Sequence, residues 1–229
     1  MKRLSRMVLS SVGSKYIMAL TGLGLMIFVL AHMSGNLLIY GGRGALNAYA
    51  HGLTEHPFLL WMARGGLLTV FLIHLFFALR TWQENQSARP IPYAHEATIQ
   101  ASWASRHMLL TGVVILLFVI YHLLHFTFGV VDADHFKKPL LDNPKQLDVA
   151  GMVIAGFSNP IISVSYIVAQ VFLGLHLWHG GSSFLQHLGL NGRGYDVAVN
   201  RVGAAVGLVV VVGNCSIPLA ILMGWTPGS

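Results

Sequence analysis

The chain has 229 residues, of which 55% are hydrophobic and only 10% are charged, and its mean hydropathy is +0.65. Because a soluble domain carries about 25% charged residues, this composition indicates a chain embedded in lipid and excludes an ordinary soluble enzyme. The net charge of +6 is not gathered into a basic cluster interleaved with aromatic residues, which argues against a nucleic-acid partner. The single cysteine, Cys215, excludes an intramolecular disulfide and a thiolate cluster.

Five apolar runs follow one another along the chain, each long enough to cross roughly 30 Å of hydrocarbon as a helix. Their approximate bounds are 16–40, 57–80, 107–130, 160–184 and 202–225. The connections are mostly short and polar, so we predict one all-α domain over residues 1–229, an integral membrane bundle of five transmembrane helices. A further apolar stretch at 149–157 precedes Ser158, Asn159 and Pro160, which form a helix-start signal, and it predicts an interfacial helix.

The basic residues predict an orientation. If the N-terminus is cytoplasmic, nine Lys and Arg residues lie on the cytoplasmic side and five on the opposite side, as the positive-inside rule requires. The nine are Lys2, Arg3, Arg6, Lys15, Arg80, Arg89, Arg106, Arg193 and Arg201. We therefore expect a multi-pass protein of the inner, cytoplasmic membrane, with its N-terminus in the cytoplasm.

Four histidines inside the predicted spans sort into two pairs by depth. An ionisable side chain in hydrocarbon is costly, so each of them needs a partner or a function. His32 and His122 lie about 22 to 24 Å along spans that start inside, which places both in the outer half of the bilayer. His74 and His176 lie about 24 to 25 Å along spans that start outside, which places both in the inner half.

Two imidazoles on opposite faces of a flat macrocycle are the ligands of a low-spin b-type haem, which passes electrons without an open coordination position. The two pairs therefore predict two stacked haems b surrounded by four helices, the inner haem iron bound by His74 and His176 and the outer one by His32 and His122. A single membrane histidine is more often an interhelical hydrogen-bond partner. The matched depths of four such residues favour ligation.

Residues near the four histidines on the same helices fit a slot for a flat group. One turn before each histidine stand Phe28, Val70, Phe118 and Phe172, and eleven residues before stand Thr21, Ala63, Thr111 and Ser165. Two further histidines, His125 and His179, each follow a candidate ligand by three residues and could replace it. We expect them instead to form hydrogen bonds near the haem propionates.

Several motifs carry a resemblance to a known family. They are Ser-Val-Gly-Ser-Lys-Tyr at 11–16, His-Met-Ser-Gly-Asn-Leu at 32–37, Gly-Arg-Gly-Ala-Leu-Asn-Ala-Tyr-Ala at 42–50, Thr-Gly at 111–112 and Tyr-Ile-Val at 166–168. Together with the 42-residue step from His32 to His74, they resemble the cytochrome b subunit of the di-haem, single-anchor succinate dehydrogenases and fumarate reductases. The resemblance covers nearly the whole chain, and it implies the same four axial ligands, His32, His74, His122 and His176.

The resemblance also implies partners and a reaction. It implies a cytoplasmic flavoprotein subunit with FAD that oxidises succinate, a cytoplasmic iron–sulfur subunit, and a membrane quinone, expected to be menaquinone, as the electron acceptor. Some fumarate-reducing members carry a carboxylate just before the fourth-helix ligand. Here the residues from Phe172 to Leu175 occupy that stretch, so we expect succinate oxidation as the direction of turnover.

A quinone site at the outer end is predicted from the residues around the second span. Tyr49, His51, Glu55 and Arg64, with His56 beside them, offer the proton donors that quinone reduction requires. The alternative reading is a solvated loop in which Arg64 pairs with a haem propionate. An inner site that uses Trp82, Arg106 or His107 is the competing location.

Two other functions are compatible with histidines in a membrane bundle. One is the cytochrome b subunit of a hydrogenase or formate dehydrogenase, against which the motifs at 32–37 and 42–50 argue. The other is a transporter whose histidines bind a metal ion or relay protons. Transporters often show internal repeats and broken helices, and the sequence indicates neither.

Overall fold

The computed structural model describes residues 9–88, 103–141, 143–187 and 196–225. Of the residues used to predict the orientation, Lys2, Arg3, Arg6, Arg89 and Arg193 lie outside the described residues. Within the described ranges the chain is helical and has no strand beyond one isolated bridge, Pro139 to Leu147. The all-α prediction is therefore confirmed.

Eight α-helices are present in the described part of the chain. They are α1 (Ser11–Asn36), α2 (Arg43–Thr54), α3 (Pro57–Ser87), α4 (Trp103–Arg106), α5 (Met108–His122), α6 (Val149–Ser158), α7 (Pro160–His187) and α8 (Asp196–Leu222). A 3-10 turn, Leu37–Gly41, extends α1, and a π-helical turn, Leu123–Thr127, extends α5.

Five of these helices, α1, α3, α5, α7 and α8, are long and apolar enough to cross a membrane, with mean hydropathies between 1.7 and 2.3. Many of their large apolar side chains are exposed, which fits contact with lipid. The predicted starts at Pro57 and Pro160 are confirmed. Helix α1 begins earlier than predicted because Ser10 caps it, its Oγ accepting a hydrogen bond from the Gly13 N–H at 3.0 Å.

Four spanning helices form a bundle in which α3 packs on α1, α1 on α7, and α7 on α5. Helices α1 and α7 lie between α3 and α5, so α3 and α7 are diagonal to each other, as are α1 and α5. The fifth span, α8, packs mainly on α7. Glycines allow that contact, because a Cβ at Gly207 would collide with the Gly174 carbonyl and one at Gly203 with the Trp178 carbonyl.

The bundle end that carries α2 and α6 is called the outer end here, and the opposite end the inner end. The sequence predicted a helix at 149–157, and the structure has α6 there, while its interfacial position stays a prediction. The sequence treated residues 41–56 as a connection, whereas α2 occupies most of that stretch. Gly42 makes the turn into α2 with a φ of 99°, a value that L side chains rarely adopt.

A hydrogen-bond network joins α2 to α6 at the outer end. Asp148 caps α6 by accepting from the Gly151 N–H at 2.9 Å, and it also accepts from Asn47 Nδ2 at 3.0 Å and pairs with Arg43 at 2.5 Å. Asn47 Oδ1 in turn accepts from the Ala150 N–H at 2.8 Å. Burial raises the pKa of Asp148, but the hydrogen bonds from Asn47, Gly151 and Arg43 together outweigh it and lower the pKa.

Replacing Asp148 by Asn should lower the thermal stability of the protein in detergent, because the cap and the ion pair are both weakened, at a cost of about 1 to 3 kcal/mol. Since the folded pKa is lowered, the contribution of the carboxylate is present above its unfolded pKa, about 3.9, and is lost as the pH falls further. Thermal unfolding should therefore separate the variant from the wild type at pH 7, and the difference should shrink as the pH falls below the unfolded pKa and through the lowered folded pKa. Asp134→Asn, at an exposed loop position, is the control; an equal loss in both variants would contradict the prediction.

Candidate functional site: two levels of histidines

At the inner level, two histidines are each held by a threonine from a neighbouring helix. His74 Nδ1 on α3 lies 3.2 Å from Thr21 Oγ1 on α1, and His176 Nδ1 on α7 lies 3.0 Å from Thr111 Oγ1 on α5. His74 and His176 come from diagonal helices and lie close enough to interact electrostatically. The predicted inner pair is therefore brought to one level of the bundle.

The hydrogen-bond partners assign a tautomer to both rings. Each threonine hydroxyl has one hydrogen, which Thr21 donates to the Ile17 carbonyl at 2.7 Å and Thr111 to the Met108 carbonyl at 3.0 Å. The hydroxyl oxygens are then left to accept from the imidazoles, so His74 and His176 carry their hydrogen on Nδ1. The Nε2 atom of each ring keeps a free lone pair, which is the form that binds a metal.

Glycine gives the His74 ring room. A Cβ at Gly22, which follows Thr21, would lie 3.1 Å from His74 Cε1, closer than an ordinary contact. A Cβ at Gly112, which follows Thr111, would lie 3.8 Å from His176 Cε1, which is an ordinary contact. Thr21 and Gly22 thus supply a hydrogen-bond acceptor and a close backbone approach to the same imidazole.

At the outer level, His32 of α1 and His122 of α5 face each other, also from diagonal helices. Their ring centres are 5.8 Å apart and their planes are nearly perpendicular, at 85°. Phe28 stacks on His32 at 5.4 Å and Phe118 lies against His122 at 5.8 Å. The predicted outer pair is therefore in direct contact.

The two levels are separated by a fixed length of helix. Thr21 and Thr111 belong to the inner level, and each precedes the outer histidine of its own helix by eleven residues. That spacing corresponds to about 16 Å along the axis, and to almost the same face of the helix. Helices α1 and α5 thus serve both levels.

His125 and His179 each have a hydrogen-bond partner inside the bundle. His125 Nδ1 lies 3.0 Å from the Tyr166 hydroxyl, and His125 is only 2% exposed. His179 Nε2 lies 3.0 Å from Ser183 Oγ, one turn further along α7. Their predicted role near propionates stays a prediction.

Polar groups without partners lie beyond the inner level. Ser14 is fully buried and, like Thr81, has a hydroxyl with no hydrogen-bond partner among the described residues; Arg80 Nε also has none. Ser14 precedes Thr21 by seven residues and Thr81 follows His74 by seven, so both lie two turns inward on the faces that meet at the inner level. These donors suit a hydrogen-bond acceptor such as a carboxylate.

Two cations lie near each other toward the outer end. Arg64 is exposed on α3 and stacks over Trp61, while Lys137 donates to the Thr127 carbonyl at 3.3 Å. Burial lowers the pKa of Lys137, and the positive charge of Arg64 lowers it further.

The four residues of the predicted quinone site are only partly brought together. His51 Nε2 lies 3.4 Å from Glu55 Oε1 at the exposed C-terminal end of α2, and the Tyr49 ring packs against Gly35 of α1, three residues beyond His32. Arg64 lies on α3, and within the described residues no hydrogen bond or ring contact joins it to the other three. At the inner end, Trp103 stacks on His107 at 4.2 Å.

Sequence reasoning missed the roles of Thr21, Thr111 and Tyr166. It noticed both threonines, but only as small residues on the face of the outer histidine of their own helix. The depth estimate that paired the histidines also places Thr21 level with His74, since these helices run in opposite directions. Applying it to every polar residue in the spans would have found both threonine contacts.

Comparisons of the chain with protein-family models, with curated proteins and with solved structures found no match.

Proposed function

We propose that this chain is the membrane anchor and di-haem cytochrome b subunit of a succinate:quinone oxidoreductase, which carries electrons from an iron–sulfur subunit to a membrane quinone. The observation that carries the proposal is the hydrogen bonding of the His74 and His176 rings. Both are fixed on diagonal helices with Nδ1 donating to a threonine and Nε2 free to ligate. An axial ligand of haem iron needs that combination.

The donor set fits a haem better than a metal ion bound by protein alone. A structural or catalytic ion takes three or four protein ligands, and among the described residues no group of three or more His, Cys, Asp or Glu side chains is arranged to hold one. A haem would need only two histidines, and the outer level offers His32 and His122, whose ring centres lie 5.8 Å apart.

The chain would hold each haem at its iron and at its edge. His74 and His176 would bind the inner iron and His32 and His122 the outer one. The buried donors of Ser14, Thr81 and Arg80 suit the carboxylates of the inner haem. Arg64 and Lys137 suit those of the outer haem. When bound, the haem supplies one-electron redox chemistry, whereas the protein sets the ligands, the burial and the local charge.

The partners and the orientation follow from the resemblance and from the basic residues. The flavoprotein and iron–sulfur subunits would dock at the inner end, on the cytoplasmic side, because the inner level lies nearest to that face. The N-terminus would then be cytoplasmic and the outer level would lie toward the opposite side. The resemblance supports menaquinone as the quinone and succinate oxidation as the direction.

We expect two equivalents of haem b per chain, because two pairs of histidines occupy separate levels. A pyridine haemochrome assay on the pure protein should return two, and His74→Ala and His32→Ala should each remove one, with different spectral components lost. His56→Ala, outside both levels, should keep both equivalents. Absence of haem from the wild type would favour a transporter, and loss of the same component in both variants would show that the pairing is wrong.

Gly22→Ala should disturb the inner haem, because its Cβ would press on the His74 ring at 3.1 Å. We expect a shift in the electron paramagnetic resonance signal of the inner haem and a lower inner-haem content. Gly24→Ala is the matched control, since its Cβ would make only an ordinary contact with Val70 at 3.8 Å. Equal spectra for the two variants would contradict the assignment of His74 to the inner haem.

The quinone is proposed to bind at the outer end, where Tyr49 lies beside α1 and His51 pairs with Glu55. Glu55→Gln and His51→Gln should slow quinone reduction, because each removes a proton donor, while succinate oxidation with an artificial acceptor is unchanged. Asp134→Asn controls for loss of charge in the outer connections. Unchanged quinone kinetics in both variants would place the site at the inner end, near Trp82, Arg106 and His107.

A further inference from the structure

The outer level has no threonine that corresponds to Thr21 or Thr111, and a tyrosine takes that place. The Tyr166 hydroxyl on α7 lies between two imidazoles of the third span, 3.0 Å from His125 Nδ1 and 3.5 Å from His122 Nδ1. Tyr166 is 5% exposed and His125 is 2% exposed. A buried row of three polar groups therefore ends at a candidate iron ligand.

The phenol can donate to only one of its two imidazole neighbours, because it has one hydrogen. With that hydrogen directed at the nearer neighbour, His125 Nδ1, the phenol oxygen accepts from His122, which then carries its hydrogen on Nδ1 and keeps a lone pair on Nε2. In this arrangement His125, as the acceptor at Nδ1, carries its own hydrogen on Nε2.

The local backbone places His125 within reach of Tyr166. The π-helical turn Leu123–Thr127 interrupts the α-helix immediately after His122, and such turns are frequent at functional sites. Gly156 of α6 leaves space for the ring, because a Cβ there would lie 2.9 Å from both Cε1 and Nε2 of His125. Phe126 stacks on the other side at 3.9 Å.

The phenol ring is itself fixed by aromatic neighbours. Phe157 of α6 meets it edge-on at 5.0 Å and Phe118 of α5 at 5.1 Å. These contacts hold the hydroxyl in place without competing for its hydrogen bonds.

We infer that Tyr166 and His125 are positioning residues for His122, fixing its ring orientation and its hydrogen on Nδ1 so that Nε2 is free to ligate the outer haem iron. The inference rests on the proposed function for its redox readout, and it adds a difference between the two haems. A threonine oxygen supports the inner ligands, whereas a phenol that is itself hydrogen-bonded to an imidazole supports His122. Acceptance of the Nδ1 hydrogen makes an imidazole a stronger donor to its metal and stabilises the oxidised iron.

The first test is Tyr166→Phe, with Tyr121→Phe as the matched control, since Tyr121 belongs to the same cluster with its ring 5.7 Å from that of Tyr166. In redox titrations, Tyr166→Phe should raise the midpoint potential of the outer haem and leave the inner haem unchanged. Tyr121→Phe should change neither. Equal potentials for Tyr166→Phe and the wild type, or equal shifts at both haems, would overturn the inference.

The second test uses His125. In His125→Phe the ring stack is kept but the acceptor is lost, so the phenol donates to His122 Nδ1 and favours the tautomer that cannot ligate. Outer-haem affinity should fall about ten-fold to a hundred-fold, the range for loss of such a supporting contact. His125→Asn, which restores an acceptor, and the double variant with Tyr166→Phe, which removes the donor, should both recover haem. Failure of both to recover it would contradict the inference.

A third measurement does not depend on haem. Nitrogen-15 NMR of the histidine-labelled full chain in detergent, prepared without haem, should show His122 as the Nδ1-protonated tautomer in the wild type and as the Nε2-protonated tautomer in His125→Phe. The same tautomer in both proteins would overturn the inference. If the wild type behaves as expected here but binds no haem when haem is supplied, the proposed function fails while the assignment of the row stands.

Discussion

The inner level depends on one constraint, which is that the N–H group of an imidazole in the middle of a span is costly without a hydrogen-bond acceptor from the protein, because hydrocarbon offers no alternative partner. A ring with one hydrogen therefore has one nitrogen committed to an acceptor and one nitrogen free. In this bundle the committed atom of His74 and of His176 faces a threonine whose hydroxyl hydrogen is already used in its own helix. The direction of these two hydrogen bonds determines which nitrogen of each ring is free to bind a ligand inside the bundle.

That constraint connects the packing of the helices to the chemistry of the site. Each pair of histidines comes from diagonal helices, whereas each supporting threonine comes from the helix beside its histidine, α1 beside α3 and α5 beside α7. Neighbouring helices thus hold the rings, and diagonal helices direct them toward the centre. The fifth span can lie outside the four because it contributes no histidine; its glycines allow close contact with α7 and, at Gly213, with Met33 of α1.

The sequence predicted the parts of this structure that follow from periodicity and length. Five apolar runs, the helix starts at Pro57 and Pro160, the short helix α6 and the depth pairing of the histidines all depend on local pattern or on helical rise. It did not predict α2, because the motif at 42–50 is rich in small residues and its docking comes from Asp148, more than a hundred residues away. Nor did it predict the π-helical turn after His122, whose residue His125 packs against Gly156 of another helix.

The eleven-residue step in α1 and α5 restricts how these two helices can change in length. Eleven residues make almost three full turns, so a threonine at one level and a histidine at the other share a face. Inserting or deleting a single residue between Thr21 and His32 would rotate one of them by about 100° relative to the other. The inner and outer levels would then be out of register on the same helix, and no rearrangement of a single side chain could restore both. Residues between the two levels can therefore be substituted without loss of register, whereas residues cannot be inserted or deleted there.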